Sequence, residues 1–189
     1  MRAFIAIPLP EAVRSHAAAL QELLRAAGRG SFPGLENLHL TLAFLGEISA
    51  EQAEAAASIL QKTPLPEMHL CTGEVSRFAN RDGGTVYLAV DSDPILPAYR
   101  AGLCRRLEEA GMTVDPRPFR PHITLARRAQ LPPGRFIAER LPFEAEEAVL
   151  FGSIQADGRR IYRAIARVQA QKDIDSTACD ANNFHEEAR

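Results

Sequence analysis

Two short segments of the sequence repeat a pattern of one histidine and one threonine that can perform acid–base chemistry. The first reads HLTL at residues 39–42, and the second reads HITL at residues 122–125. Imidazole titrates near neutral pH, so one neutral ring can take a proton from water while a second, protonated ring gives one to a leaving oxygen. Threonine hydroxyls donate hydrogen bonds to oxygens that gain charge, as phosphate and acyl oxygens do. The pair of motifs therefore predicts hydrolysis by two histidines.

Both motifs have the alternation of a β-strand with one buried face. Side chains two residues apart on a strand share a face, so His39 projects with Thr41 and His122 projects with Thr124. Burying two such polar pairs at one place would be costly without a function. The three remaining histidines are predicted to be structural or solvated: His16, His69 and His185.

No cofactor is predicted. A zinc site needs at least three histidine, cysteine or carboxylate ligands at regular spacing, and no such third ligand lies near either motif in the sequence. Two imidazoles already supply both proton transfers, so we expect catalysis without a metal ion.

The two motifs belong to a longer internal repeat. A shift of 83 residues superposes helix, loop and strand without a gap, with Leu20 on Leu103, Gly28 on Gly111 and His39 on His122. Two like units of this kind tend to pack around a pseudo-twofold axis. The equivalent strands, and with them the two motifs, are expected to meet near that axis.

Hydrophobic periodicity and turn residues predict an α+β chain. Helices are expected over 13–27, from a capping box at Ser49 to about Gln61, and from Asp93 and Pro94 to Gly111, with a loop at 28–34. The turn-rich segment 80–84 and the pair Asp157-Gly158 predict two hairpins. The predicted strands cover residues 2–9, 38–45, 68–78, 85–90, 121–127, 143–155 and 159–168.

Length and composition set the broader limits. The 189 residues, 46% hydrophobic and 24% charged, fit a single globular domain, which we place at 1–168, followed by a polar tail at 169–189 that is expected to be disordered. A net charge of −2 argues against coating nucleic acid through bulk charge. The three cysteines show no disulfide or zinc spacing, and no apolar run is long enough for a membrane span. We expect a cytoplasmic monomer.

The motifs in their context resemble a known family. HLTLAFLG at 39–46 and RPHITLAR at 120–127 resemble the paired HxTx motifs of the two-histidine (2H) phosphoesterase superfamily. From RAFIAI at 2–7 to GRRIYRAI at 158–165, the chain is similar to the bacterial RNA 2′,3′-cyclic phosphodiesterases of that superfamily, also called 2′-5′ RNA ligase-like proteins. The resemblance implies a bilobal α+β fold in which two antiparallel sheets, related by a pseudo-twofold axis, line a central cleft with helices outside.

The resemblance also implies an activity and roles for individual residues. The activity is metal-independent opening of a 2′,3′-cyclic phosphate at an RNA end to a 2′-phosphate, with reversible 2′-5′ RNA ligation as a side reaction of the same site. His39 would be the acid that protonates the departing 3′ oxygen, and His122 the base that activates water. The phosphate would be bound by Thr41, Thr124 and Arg127, and a base would stack on Phe4 or Phe44.

Two alternatives stay open on the sequence. One is a phosphodiesterase of the same class that acts on a small cyclic or 2′,5′-linked nucleotide rather than on RNA. The other is a nucleotide-binding module without turnover, which two intact HxT pairs disfavour because a binder needs no general base.

Overall fold

The computed structural model describes residues 1–79, 83–131, 136–156 and 159–171. Within these ranges the helices are α1 Glu11–Ala27, α2 Ala50–Gln61 and α3 Ile95–Glu109, with a short 3₁₀ helix at Leu35–Asn37. The strands are β1 Arg2–Pro8, β2 Arg29–Ser31, β3 His39–Glu47, β4 Leu65–Pro66, β5 His69–Phe78, β6 Gly84–Ser92, β7 His122–Gln130, β8 Pro142–Glu144, β9 Glu147–Ala156 and β10 Arg159–Gln171.

The strands form one sheet built from two similar halves. Their order is β4-β10-β9-β1-β3-β7-β6-β5-β8, with β2 added on β7. Read outward from the boundary between β3 and β7, the strands β3, β1 and β9 correspond to β7, β6 and β5. A single Cα pair, Leu40 with Ile123, joins the halves at that boundary. The predicted α+β class is confirmed, and the two predicted sheets are the halves of one sheet that meet at this pair.

The repeat is visible in the element boundaries. Strands β3 and β7 both start and end 83 residues apart, as the sequence repeat predicts. Strands β1 and β6 are related by a shift of 81 residues rather than 83. Pro8 of β1 lies opposite His39 of β3, and Ala89 of β6 lies opposite His122 of β7. The difference comes from two extra residues between strand and helix in the second half.

Helices α1 and α3 cross over between the halves, whereas α2 packs on β9 and β10. Helix α1 packs against β7 of the second half, and α3 packs against β3 of the first half. Their buried leucines form one hydrophobic core with the inward residues of the strands, among them Leu20, Leu24, Leu42, Leu103, Leu107 and Leu125. The opposite face of β3 and β7 is left for polar residues.

The predicted helix ends agree with the structure in most places. The Ser49 hydroxyl accepts from the Gln52 N–H at 3.1 Å, and the Gln52 side chain accepts from the Ser49 N–H at 3.0 Å, which confirms the capping box. Asp93 accepts from the Ile95 N–H at 2.9 Å, and α3 begins at Ile95, one residue after Pro94. Gly111 ends this helix with a positive φ of 78°.

Several segments differ from the prediction. The predicted strand 143–155 is two strands, β8 and β9, which pair in different halves of the sheet, and β4 was not predicted. The predicted loop at 28–34 contains β2, which pairs with β7 because Gly28 lacks a side chain: a Cβ there would lie 2.3 Å from the Gln130 carbonyl oxygen. The predicted tail begins too early, because β10 continues to Gln171 and Ala170 pairs with Leu65 of β4 against the core. The rest of the tail and the predicted turn residues 80–82 and 157–158 lie outside the described residues.

Candidate active site

The two HxT motifs lie at the starts of β3 and β7 and meet at the pair Leu40–Ile123. Residues opposite each other in an antiparallel pair point to the same face, so their neighbours along each strand point to the other face. Leu40 and Ile123 are fully buried in the core. The flanking residues are half-buried and define what we call the His/Thr face: His39, Thr41, His122 and Thr124.

Both imidazoles are held by the backbone in the same way. The Nδ1 of His39 lies 2.7 Å from the carbonyl oxygen of Asn37, and the Nδ1 of His122 lies 2.6 Å from that of Arg120. Because a carbonyl oxygen can only accept, each Nδ1 carries a hydrogen and donates it. The Nε2 atom of each ring is therefore the nitrogen that can exchange a proton with a substrate.

His39 is enclosed by aromatic rings from β1 and β10. The Phe4 ring stacks on it with a centroid distance of 4.7 Å, and the Tyr162 ring meets it edge-on at 5.6 Å. Phe4 in turn stacks on Phe151 of β9 at 5.4 Å. The Asn37 side chain also donates to the Arg160 carbonyl at 3.1 Å, which ties the turn before β3 to β10. This packing fixes the orientation of the His39 ring.

His122 has a comparable enclosure from β5 and β6. The rings of Tyr87 and Phe78 lie 5.2 and 5.3 Å from its centroid, both at steep angles, and they stack on each other at 4.2 Å. Tyr87 lies opposite Thr124 in the sheet, so it belongs to the same face as the motif. Each histidine is thus held by one hydrogen bond and two rings.

These surroundings favour the neutral form of both rings. Burial lowers the pKa of His39 to about 4, against an opposing hydrogen bond to Asn37, and the positive charge of Arg127 lowers it further. Burial also lowers the pKa of His122, with further lowering by the charges of Arg127 and Arg117. Neither ring carries a full charge at neutral pH in the free protein.

A bulge in β7 directs Arg127 away from the core. Thr124 pairs with Tyr87, but the next pair in the register skips Leu125 and uses Ala126. Leu125 and Ala126 are consequently both buried, and Arg127 returns to the exposed side. Since its charge lowers the pKa of both histidines, the Arg127 guanidinium lies within electrostatic range of both.

The matching bulge in β3 explains the position of Phe44. There the register skips Leu42, and Phe44 takes the position that Arg127 holds in the second half. The Phe44 ring is half-buried and carries the guanidinium of Arg2 at 4.9 Å from its centroid. Phe4 is only 4% exposed and is packed against His39, so little of its ring is left for a base.

Three ring residues of the site were missed by sequence analysis: Phe78, Tyr87 and Tyr162. Tyr87 lies on β6, next to β7, Phe78 lies on β5, one strand further, and Tyr162 lies on β10, three strands from β3. These neighbours are brought together only in the folded sheet. The alternation of GRRIYRAI places Tyr162 on a face of its strand, but no local signal says which strand that face adjoins.

Two further observations concern the described part of the chain. Its residues contain no group of three or more histidine, cysteine or acidic side chains that could hold a metal ion. None of the described helices combines the length and the apolar character that a membrane crossing requires.

Comparison with known proteins gives consistent matches. A family model described as the 2′-5′ RNA ligase superfamily matches residues 9–155. An RNA 2′,3′-cyclic phosphodiesterase of Escherichia coli (strain K12) is 30% identical over 171 residues, which cover 88% of this chain and 94% of the relative. A protein of the same name from Methanocaldococcus jannaschii is 23% identical over 167 residues, or 87% of this chain and 91% of the relative.

Solved structures agree with the sequence matches. The structure of E. coli LigT complexed with 3′-AMP has a TM-score of 0.76 and 29% identity, and the match covers 90% of this chain and 98% of LigT. TT0787 of Thermus thermophilus has a TM-score of 0.78 and 25% identity, covering 89% and 97% of the two chains. On the family model and these matches over most of its length, the chain belongs to the 2′-5′ RNA ligase superfamily.

Proposed function

We propose that this protein hydrolyses the 2′,3′-cyclic phosphate ends of RNA to 2′-phosphates without a metal ion, with His39 and His122 as its proton-transfer residues. The observation that carries the proposal is the pair of imidazoles on the His/Thr face, each held through Nδ1 by a backbone carbonyl. The substrate class follows from the relatives named RNA 2′,3′-cyclic phosphodiesterase, which align over most of the chain.

In the proposed reaction, a water oxygen bonds to phosphorus while its proton passes to Nε2 of His122. The bond from phosphorus to O3′ breaks as the Nε2–H of His39 gives its proton to that oxygen. The products are a 2′-phosphate and a free 3′-hydroxyl, and the two imidazoles have exchanged protonation states. The attacking water oxygen and the departing O3′ lie roughly in line on opposite sides of phosphorus. Two imidazoles related by a twofold axis can contact these two oxygens from opposite sides.

The division of roles follows the family resemblance, because in the free protein burial favours the neutral form of His39 at least as strongly as that of His122. A protonated imidazole whose pKa is near 4, as burial makes that of His39, is a strong acid toward a departing alkoxide. The bound phosphodiester is an anion, so it stabilises the imidazolium and supplies the condition under which His39 keeps its proton. His122 then acts as the neutral base.

Phosphate binding is assigned to Thr41, Thr124 and Arg127. The two hydroxyls lie on the His/Thr face beside the imidazoles, and each can donate to a nonbridging oxygen. Arg127 can add a charge-assisted, two-point contact. Its effect on the pKa of both histidines supports a place beside the reacting phosphorus.

The base-stacking role is assigned to Phe44 rather than to Phe4. Phe44 is half-buried on the His39 side of the sheet, whereas Phe4 is covered by His39 and Phe151. Tyr162, half-buried and edge-on to His39, is a second ring that a base can contact. Stacking on such rings tolerates any base, which suits a substrate defined by its phosphate.

The proposed setting is a monomer in the cytoplasm that acts on RNA ends or on nucleotides with a cyclic phosphate. The two described cysteines, Cys71 and Cys104, are both free thiols, as a reducing compartment allows.

The test compares an oligonucleotide with a terminal 2′,3′-cyclic phosphate, a mononucleoside 2′,3′-cyclic phosphate and a 2′,5′-linked dinucleotide. Phosphorus NMR identifies the product of each. We expect kcat/KM to be highest for the oligonucleotide, with a 2′-phosphate product. A predominantly 3′-phosphate product would contradict the assignment of the leaving oxygen. A preference for the 2′,5′-linked dinucleotide would favour the small-nucleotide alternative, and binding without turnover would favour the binding module.

A further inference from the structure

The two strand bulges are held by side chains that reach across from the opposite half. Gln21 of α1 donates through Nε2 to the Leu125 carbonyl oxygen at 2.9 Å, where β7 bulges. Arg100 of α3 donates through Nε to the Leu42 carbonyl oxygen at 3.1 Å, where β3 bulges. Leu42 and Leu125 are the residues that the two registers skip. We refer to these two hydrogen bonds as the cross-braces.

The bulges determine where the phosphate-binding side chains point. Without the bulge in β7, strict alternation would send Ala126 to the His/Thr face and Arg127 into the core. The bulge places Leu125 and Ala126 inside and returns Arg127 to the same side as Thr124. A group that fixes the Leu125 carbonyl therefore fixes the direction of Arg127.

Burying Gln21 lowers the stability of the fold relative to an aliphatic residue, which a purely structural position would not require. Its side chain is fully buried, and its Oε1 atom has no hydrogen-bond partner among the described residues. An unpaired buried amide oxygen costs free energy that an aliphatic side chain of similar size would avoid. Its amide donates both to Leu125 and to Pro33, the latter at 3.0 Å, so the side chain is anchored on two sides.

The cross-braces also connect the two halves close to their boundary in the sheet, where β2 pairs with β7 as well. One Cα pair, Leu40 with Ile123, links β3 to β7. Gln21 comes from the first half of the sequence and holds the strand of the second motif. Arg100 comes from the second half of the sequence and holds the strand of the first motif. Arg100 is itself held by the Phe119 ring, 4.9 Å from its guanidinium carbon.

We propose that Gln21 and Arg100 are positioning residues for the phosphate site: Gln21 aims Arg127 by holding the Leu125 carbonyl, and Arg100 holds the matching bulge after Thr41. The inference rests on the proposed function, in which Arg127 binds the phosphate. Neither residue touches the substrate.

A double-mutant cycle between Gln21→Met and Arg127→Ala tests the inference. Two quantities are measured for each variant: kcat and KM on a nucleoside 2′,3′-cyclic phosphate, and the calorimetric Kd of adenosine 2′-monophosphate. We expect Gln21→Met to weaken binding and raise KM by about 3- to 30-fold, the range of coupling within one hydrogen-bond network, with a smaller change in kcat. In the Arg127→Ala background the same substitution should have no further effect on Kd.

Full additivity of the two substitutions, or unchanged binding in folded Gln21→Met, would overturn the role of Gln21. The Kd measurement separates this result from a failure of the proposed function, which would show as absent turnover by the wild-type protein. If Gln21→Met does not fold, Arg100→Met carries the test, with Arg106→Met as its control. Arg106 is also on α3 but donates to Lys62 and Thr63, away from both motifs. We expect a loss of binding or turnover only for Arg100→Met, and equal effects of the two substitutions would overturn the inference.

Discussion

Leu40 of β3 lies opposite Ile123 of β7, and these two residues are equivalent in the 83-residue repeat. A pair formed by two equivalent residues marks the position of the pseudo-twofold axis within the sheet. Because both side chains are buried on one face, the histidine and threonine on either side of each must share the other face. The geometry of the site thus follows from one contact between two aliphatic residues.

The first prediction concerns the two histidines. His39→Ala and His122→Ala should each lower kcat for a nucleoside 2′,3′-cyclic phosphate by about 10²- to 10⁴-fold, the usual contribution of one acid–base group. The double variant should lose less than the product of the two effects because the pair acts as a unit. His69→Ala is the matched control, since this strand histidine has a side chain that is 74% exposed. Near-wild-type kcat in either folded site variant would contradict the mechanism.

The second prediction concerns metal ions. Activity should be unchanged after exhaustive treatment with EDTA, because the two imidazoles supply both proton transfers of the proposed reaction. The measurement is the initial rate before and after chelation, and again after addition of Mg²⁺, Mn²⁺ or Zn²⁺. A rate that disappears with EDTA and returns with one of these ions would show that a metal takes part.

Sequence analysis predicted the parts of the site that depend on local pattern or on the repeat. The alternation in HLTL and HITL fixed the shared faces, and the common register placed His39 and His122 at one axis. A capping box at Ser49 and a glycine at 111 likewise act through their immediate neighbours.

The contacts between distant segments could not be predicted from the sequence. Tyr162 reaches His39 only because β10, β9, β1 and β3 are consecutive in the sheet, and Gln21 bonds a carbonyl 104 residues away. The bulges at Leu42 and Leu125 cannot be recognised in the sequence. Each is formed by a buried leucine followed by a buried alanine, and these two residues are also compatible with a regular strand. Phe4 was named as a candidate for base stacking because its burial depends on these same long-range contacts and so could not be predicted.

The third prediction links the burial of His39 to stability. Its pKa is about 4 in the folded protein and near 6.5 when exposed, so protons bind the unfolded chain more readily. Stability from this group is complete above pH 6.5 and is lost as pH falls, by about 3 kcal/mol at pH 4. Urea unfolding of wild type and His39→Gln at pH 7 and pH 4 measures the effect. The wild type should lose more stability than the variant, and equal losses would show that the His39 pKa is not lowered.

The last prediction concerns the pH dependence of turnover and the part that Arg127 plays in it. The proposed reaction needs one protonated and one neutral imidazole, so kcat/KM should rise and fall through two apparent pKa values that belong to the coupled pair. Both pKa values are lowered in the free protein, so the maximum of kcat/KM should lie below pH 6.5. The maximum of kcat should lie at higher pH, because the bound phosphodiester anion stabilises the imidazolium.

Arg127 makes this profile a test of the site geometry. Its positive charge lowers the pKa of both histidines, so Arg127→Ala should move both limbs of the kcat/KM profile to higher pH while it lowers the maximum. Arg117→Ala should raise the pKa of His122 alone and shift only its part of the profile to higher pH, since the charge of Arg117 acts on that ring. Arg128→Ala is the neighbouring control and should leave the profile in place. A profile with a single limb would contradict the paired mechanism, and a profile that Arg127→Ala does not move would separate this arginine from the two histidines.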